Sequence, residues 1–211
     1  MNETLVQLIT EKVMDVLKNE QPSSKKEVKV GVSARHIHLS KEHLEVLFGK
    51  GYELNVKKYL MGDQFASEEL VTIVGPKLRS IEKVRILGPV RKETQVEISA
   101  TDAITLGVKA PVRLSGDTKS SSPITIVGPK GTVRIDEGCI IAKRHIHMHP
   151  EDSKRLGIGE GVVSVRIKGD RAGILENVDV RVREDFHFEM HIDTDEANAL
   201  GIKNGSFVEI I

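Results

Sequence analysis

Hydrophobic residues follow two rhythms along this chain. Between residues 2 and 19, Leu5, Leu8, Ile9, Val13, Val16 and Leu17 recur at three- and four-residue spacings among charged and polar neighbours. That is the stripe of an amphipathic helix. Gln21-Pro22-Ser23-Ser24-Lys25-Lys26 ends the pattern with tether chemistry. A helix this short on a flexible tether needs a surface to cover its stripe, supplied by its own core, an oligomer or another protein. From Val28 onward the rhythm becomes short β-branched segments, at Val28 to Val32, Val84 to Leu87, Gln95 to Ser99, Thr132 to Ile135 and Val178 to Val182. These predict strands.

One composite unit recurs four times, at Leu39 to Val56, Ile98 to Leu114, Met148 to Arg166 and Ile192 to Ile210. Each has an apolar segment, a polar cap, a short helix, a leucine or phenylalanine beside a glycine, and a further strand. Ser99 with Asp102, and Asp193 with Glu196, have the spacing of reciprocal capping boxes. Pro150 suits a first helical turn, and the glycine after each helix permits a left-handed exit. Between the units, Thr72-Ile73-Val74-Gly75-Pro76-Lys77 recurs as Thr125-Ile126-Val127-Gly128-Pro129-Lys130, a turn between β-branched strands. The expected fold is mainly β with short capping helices (α+β): two related small β-barrel domains preceded by an N-terminal amphipathic helix. The expected boundaries are 1–20 for the helix, 21–27 for the linker, 28–143 for the first barrel and 144–211 for the second. Strand 28–34 is also able to pair with the second barrel. A binding site is expected where the barrels face each other.

Charge narrows the partners. Lysine plus arginine number 31 and aspartate plus glutamate 31, so the net charge is zero. That gives no general attraction to nucleic acid or an anionic membrane. Aromatics are 3% of residues and tryptophan is absent, so base-stacking platforms are scarce. The single cysteine, Cys139, has no intrachain disulfide partner and reads as a small core residue. The sequence shows neither a long apolar span nor a secretory signal, and the cytoplasm is the default location.

The histidines carry the chemistry. Ser33-Ala34-Arg35-His36-Ile37-His38 is echoed by Ala142-Lys143-Arg144-His145-Ile146-His147, with Arg-His-Ile-His shared. Residues two apart on a strand share a face, so each pair projects two imidazoles together and its isoleucine to the opposite, apolar side. Two such imidazoles form a chelate for zinc or a similar metal. A catalytic zinc takes about three protein ligands, and Glu97 and His191, each just before a helical cap, are the best further donors. His187 and His43 read as ordinary histidines and His149 as a cap. Arg91, on the loop before the Glu97 strand, offers a planar fork that fits phosphate, unless it is merely exposed. Arg35 and Arg144 face away from the histidines by alternation, to pack or to reach a nucleotide phosphate.

Three motifs together resemble one family. Ser33-Ala34-Arg35-His36-Ile37-His38-Leu39-Ser40, Leu87-Gly88-Pro89-Val90-Arg91 with Thr94-Gln95-Val96-Glu97, and Arg144-His145-Ile146-His147-Met148 are similar to the PduL-type phosphotransacylases (phosphate propanoyltransferases). The resemblance runs from about Val28 to the C-terminus. It implies two β-barrels with two zinc ions per chain between them, one held by His36, His38 and Glu97, the other by His145, His147 and His191. It implies phosphate at Arg91, and CoA near Ser33, Lys58, Arg85, Leu87 and Asn198. The implied reaction interconverts a short-chain acyl-CoA (propanoyl-CoA or acetyl-CoA) plus phosphate with acyl phosphate plus CoA. Residues 1–20 resemble the peptide that directs some relatives into a bacterial microcompartment, which would make shell or core proteins partners. A homodimer is the default assembly. Without the resemblance, the residues also fit a zinc-dependent hydrolase, or a non-enzymatic duplicated β-barrel binding protein with structural zinc.

Overall fold

A computed structural model describes residues 26–211. The amphipathic helix expected over residues 1–20 lies outside the described residues. The chain begins β1 (Glu27–Ser33), β2 (His36–His38), α1 (Lys41–Phe48), β3 (Val56–Tyr59), β4 (Phe65–Val74), β5 (Ser80–Gly88), β6 (Gln95–Glu97), α2 (Ala100–Leu106) and β7 (Val112–Arg113). It continues β8 (Ser122–Val127), β9 (Thr132–Ala142), β10 (His145–Met148), α3 (Pro150–Leu156), β11 (Gly161–Ile167), β12 (Gly173–Val182), β13 (Glu189–Asp193), α4 (Thr194–Leu200) and β14 (Phe207–Ile210).

The strands close into two six-stranded barrels, as the β-branched segments and the duplication predict. In the first, the order β4-β5-β2-β6-β9 is closed by β8, which pairs with both β9 and β4. The second runs β1-β13-β10-β12-β11-β14 and returns to β1. The barrels correspond strand for strand. β2 lies parallel to β5 and antiparallel to β6, and β10 lies likewise against β12 and β13. In this correspondence β1 plays in the second barrel the part β9 plays in the first.

The chain therefore crosses between barrels twice. β1 sits in the second barrel and leads through Ala34 and Arg35 into β2 of the first. β9 sits in the first and leads through Lys143 and Arg144 into β10 of the second. Each barrel has its own apolar core. Ile37, Leu39, Ile73, Ile86, Val96 and Ile126 fill the first, and Val30, Ile146, Met148, Val165, Met190 and Ile192 the second. Each such side chain, once fully buried, contributes roughly 1.5–3 kcal/mol.

The helices cap as their sequences predict. The boxes Ser99–Asp102 and Asp193–Glu196 are both formed, Pro150 opens α3 with His149 as its N-cap, and Gly107, Gly157 and Gly201 exit left-handed. Gly49 differs, with φ 111° and an extended ψ of 156°. Tyr52 to Asn55, expected as a strand, is irregular instead. The Glu69 carboxylate accepts from the Tyr52 hydroxyl and the Asn55 backbone and side-chain amides, which removes those donors from any ladder. The repeated Gly-Pro turns pack against helix ends. A Cβ on Gly75 would lie 2.0 Å from the Leu106 carbonyl oxygen, and one on Gly128 2.7 Å from that of Leu47. Glycine lets each turn approach the end of α2 or α1.

Candidate active site

Both Arg-His-Ile-His segments sit where the chain crosses between barrels, and strand alternation decides what each side chain does. Ile37 and Ile146 are fully buried in the two cores, while the flanking histidines face outward from the barrels. The first histidine of each pair is locked by the crossing itself. His36 Nδ1–H donates to the Ala34 carbonyl and His145 Nδ1–H to the Lys143 carbonyl, both at 2.9 Å. In the neutral ring this leaves the Nε2 lone pair free to ligate a metal.

Strand pairing brings in the third donor of each group. His36 stands opposite Glu97 on β6, and His145 opposite His191 on β13. Donor atoms of His36, His38 and Glu97 lie within 4.8 Å of one another, with Nε2 of His36 3.4 Å from the Glu97 carboxylate. In the second group, ring centroids are 4.6 Å apart for His145 and His147, 4.8 Å for His147 and His191, and 5.2 Å for His145 and His191. One cavity between the barrels is lined by His36 and Glu97 from the first and by His145 and His191 from the second, with Ser33 at its wall.

These residues fit a metal. Nδ1 of His147 is buried with no hydrogen-bond partner, and Nε2 of His191 has only the Glu189 carboxylate, 3.5 Å away, which costs free energy unless something else takes their lone pairs. Imidazole nitrogens with one carboxylate oxygen are a zinc-type donor set.

The two groups differ electrostatically. Burial pulls the His36 pKa down, but the Glu97 charge and hydrogen bond outweigh it, so the net shift is upward. His38 is lowered to about 3 by burial, with the neighbouring His36 and Arg91 charges adding to it. Burial pushes Glu97 up, yet His36, His38 and Ser115 bring it well below the usual carboxylate range. In the second group burial lowers all three, His191 to about 4. Its imidazoles are therefore neutral near pH 7, the form that ligates metal.

Several supporting residues were not singled out from the sequence. Gln95 Nε2 donates to Glu97 Oε1 at 2.5 Å, and Ser115 Oγ donates to the same oxygen at 2.9 Å. Gln95 was readable, since it lies two residues before Glu97 on one strand. Ser115 arrives from a distant loop and left no local signal. Phe186, also from a loop, stacks on His147 with centroids 3.9 Å apart and planes 24° apart. It orients the one ring of the second pair that no hydrogen bond holds.

Arg91 follows the turn after β5. Its backbone N–H donates to Leu39 and its guanidinium to Ser115 Oγ at 3.3 Å, so it shares a partner with Glu97. Ser33 lines the cavity. Lys58 on β3 and Asn198 on α4 are exposed. Arg85 on β5 pairs with His36 in register, and its guanidinium donates to the Ser67 and Glu68 carbonyls. Leu87 follows on the same strand. Neither Arg91 nor any of these last four lines the cavity. Arg35 and Arg144 do turn away from the histidines and bind the capping acids of the helices, Asp102 and Glu196. His43 bonds Thr94, and His187 is exposed. Cys139 is fully buried in the first core, and burial pushes its thiol up to about 12. No helix among the described residues is long and apolar enough to cross a membrane.

Comparison with known proteins gives one answer. The family model described as phosphate propanoyltransferase matches residues 29–203. Relatives with that name include one from Lachnoclostridium phytofermentans, 57% identical over all of both chains. One from Thermotoga maritima is 52% identical over 97% of this chain and 99% of the relative. Another, from Clostridioides difficile, is 44% identical over 99% and 98%. With the motifs, the paired barrels and matches spanning nearly the whole chain in agreement, this chain belongs to the phosphate propanoyltransferase family of phosphotransacylases.

Proposed function

We propose that the chain interconverts a short-chain acyl-CoA plus phosphate with the acyl phosphate plus CoA, using propanoyl or acetyl groups. One observation carries the reading: His36 and Glu97 from one barrel and His145 and His191 from the other line a single cavity. His36, His38 and Glu97 would hold one zinc, and His145, His147 and His191 a second. Bound zinc would supply Lewis-acid stabilisation of charge developing on the carbonyl and thiolate. Ser115 and Gln95 hold the Glu97 carboxylate, and the crossing carbonyls hold His36 and His145, so the ligand atoms are preorganised. Arg91 binds and orients phosphate through its planar fork.

A phosphate oxygen attacks the thioester carbonyl directly. The C–O bond forms, the C–S bond breaks and CoA leaves as its thiolate. Held in one cavity, the reactants need no covalent protein intermediate. Cys139, buried and protonated, is supported as a packing residue. Ser33, Lys58, Arg85, Leu87 and Asn198 remain the proposed CoA contacts, with Ser33 best placed. Residues 1–20 are proposed to dock the enzyme within a microcompartment, and the assembly to be a dimer.

The test measures thiol release from propanoyl-CoA and acetyl-CoA, with and without phosphate, on protein of known metal content. Phosphate-dependent release with stoichiometric acyl phosphate supports the reading. Equal release without phosphate would mean metal-assisted hydrolysis. Unfolding on chelation, with no turnover at any metal content, would mean structural zinc.

A further inference from the structure

Most cationic side chains around the cleft are already neutralised. Arg35 is paired with Asp102, Arg144 with Glu196, Arg183 with Asp185 and Lys143 with Asp179. Arg85 directs its guanidinium to backbone carbonyls. Two arginines remain. Arg91 has only the Ser115 hydroxyl. Arg181 makes no side-chain hydrogen bond or ion pair among the described residues; the contact of its guanidinium is with the Phe186 ring, 5.8 Å from the centroid.

Backbone register fixes where Arg181 stands. On β12 it is the partner of His147 in the parallel pairing with β10, so the two side chains leave the same face of the sheet. Phe186 lies against both, stacked on His147 and beside the guanidinium. A half-buried, unpaired cation is thus held next to the second histidine group, on the second barrel. Arg91 stands on the first. The two charges sense each other: burial lowers Arg91, and Arg181 lowers it further, while Glu97 opposes them. Arg181 likewise disfavours the charged forms of His145 and His147. Like charges near enough to interact repel, and an anion between them replaces that repulsion with charge-assisted hydrogen bonds.

We propose that Arg181 is a second phosphate-binding residue, gripping phosphoryl oxygens from the second barrel while Arg91 grips them from the first. This rests on the phosphotransacylase reading. It also explains why Arg181 lacks the carboxylate that neutralises neighbouring Arg183: such a partner would compete with the substrate.

Arg181→Gln and Arg181→Lys are to be compared with wild type as full-length, metal-loaded protein. Arg181→Gln is expected to raise the KM for phosphate about tenfold or more. Zinc content should be unchanged and the KM for acyl-CoA should stay within about twofold. Arg181→Lys should recover part of the loss, as a point charge without the fork. The rise in melting temperature produced by inorganic phosphate alone should shrink in the same order. An unchanged phosphate KM, or a defect that instead follows acyl-CoA affinity or zinc content, would overturn the assignment. If wild type consumes acyl-CoA without phosphate, the phosphotransacylase reading fails, and the thermal shift with phosphate still decides whether Arg181 binds that anion.

Discussion

Glu97→Gln is the most informative single change, because it keeps the shape and removes the charge. Glu97 is 8% exposed. One oxygen receives hydrogen bonds from Gln95 and Ser115, and the other faces His36 Nε2 at 3.4 Å. An amide cannot satisfy both ends. With its NH2 toward Gln95, two donors meet, at a cost of about 1–3 kcal/mol; with it toward His36, the amide can donate to the neutral Nε2, but no oxygen is left to face a metal. The oxygen proposed as the anionic ligand is lost as well. Disturbing a supporting partner of a metal ligand costs about 10–100-fold in affinity, so losing the charged ligand itself should weaken zinc at this group by at least about 100-fold. Metal analysis after dialysis, with zinc titration against a chromophoric chelator, reads this directly. We expect Glu97→Gln to fall from two tightly held zinc ions to one, and His191→Ala to lose the other, each with kcat/KM strongly reduced. Retention of both ions at wild-type affinity in Glu97→Gln would refute the ligand assignment.

Three further outcomes follow from the same geometry. In the metal-free chain, burial holds His38, His145, His147 and His191 below their usual pKa. The unfolded state therefore binds protons that the folded state refuses below about pH 6.5. His36 is raised and works the other way, its contribution complete below about pH 6.5 and lost as pH rises through its folded value. Burial also raises the Glu189, Asp193 and Glu196 carboxyls, which work with His36 toward the acid end of the range; the four lowered histidines titrate across all of it and predict a melting temperature that falls as pH drops from about 7 to 5, and a flat or rising profile in that range would contradict these assignments. Cys139→Ala should keep kcat within about twofold while losing about 1 kcal/mol of stability; inactivity with zinc content intact would show that the thiol takes part in the chemistry. Gly75→Ala forces a Cβ to 2.0 Å from the Leu106 carbonyl oxygen, so denaturant unfolding should show a loss of about 1–3 kcal/mol or more. Gly159→Ala, where a Cβ would meet nothing within 4 Å, is the control, and equal stabilities for the two variants would contradict the close-packing argument.

What the sequence made legible was what depends on neighbours along the chain. Capping boxes are local, so Ser99–Asp102 and Asp193–Glu196 were readable and formed. Alternation is local, so the shared face of each histidine pair was readable from Arg-His-Ile-His alone. The apolar alternation of Tyr52, Leu54 and Val56 misled. Tyr52 and Leu54 do pack on the first core, but the Glu69 carboxylate, far along the chain, captures the Asn55 amide. Residues that reach the site from loops, Ser115, Phe186 and the turn that carries Arg91, depend on closure of the barrels. No periodicity announces them.

The duplication explains why two metal-type groups face one cavity, and the departures from it explain why they are not interchangeable. At equivalent ladder positions, Glu97 of β6 is answered by His191 of β13, and Gln95 by Glu189. His36 stands beside Arg85 on β5, and His145 beside Asp179 on β12; two residues further along those strands come Leu87 and Arg181. The first barrel thus sets a carboxylate within its histidine group, which raises the His36 pKa when no metal competes. The second offers three imidazoles whose pKa burial lowers, with the Glu189 carboxylate 3.5 Å from His191 Nε2, and an unpaired guanidinium. A symmetric pair of sites could not tell one end of a substrate from the other. Here a common backbone places the donors at matching positions while a few unlike side chains, Glu97 against His191 above all, make the two groups chemically different, so the cleft carries a direction that the repeated strands alone would not give it.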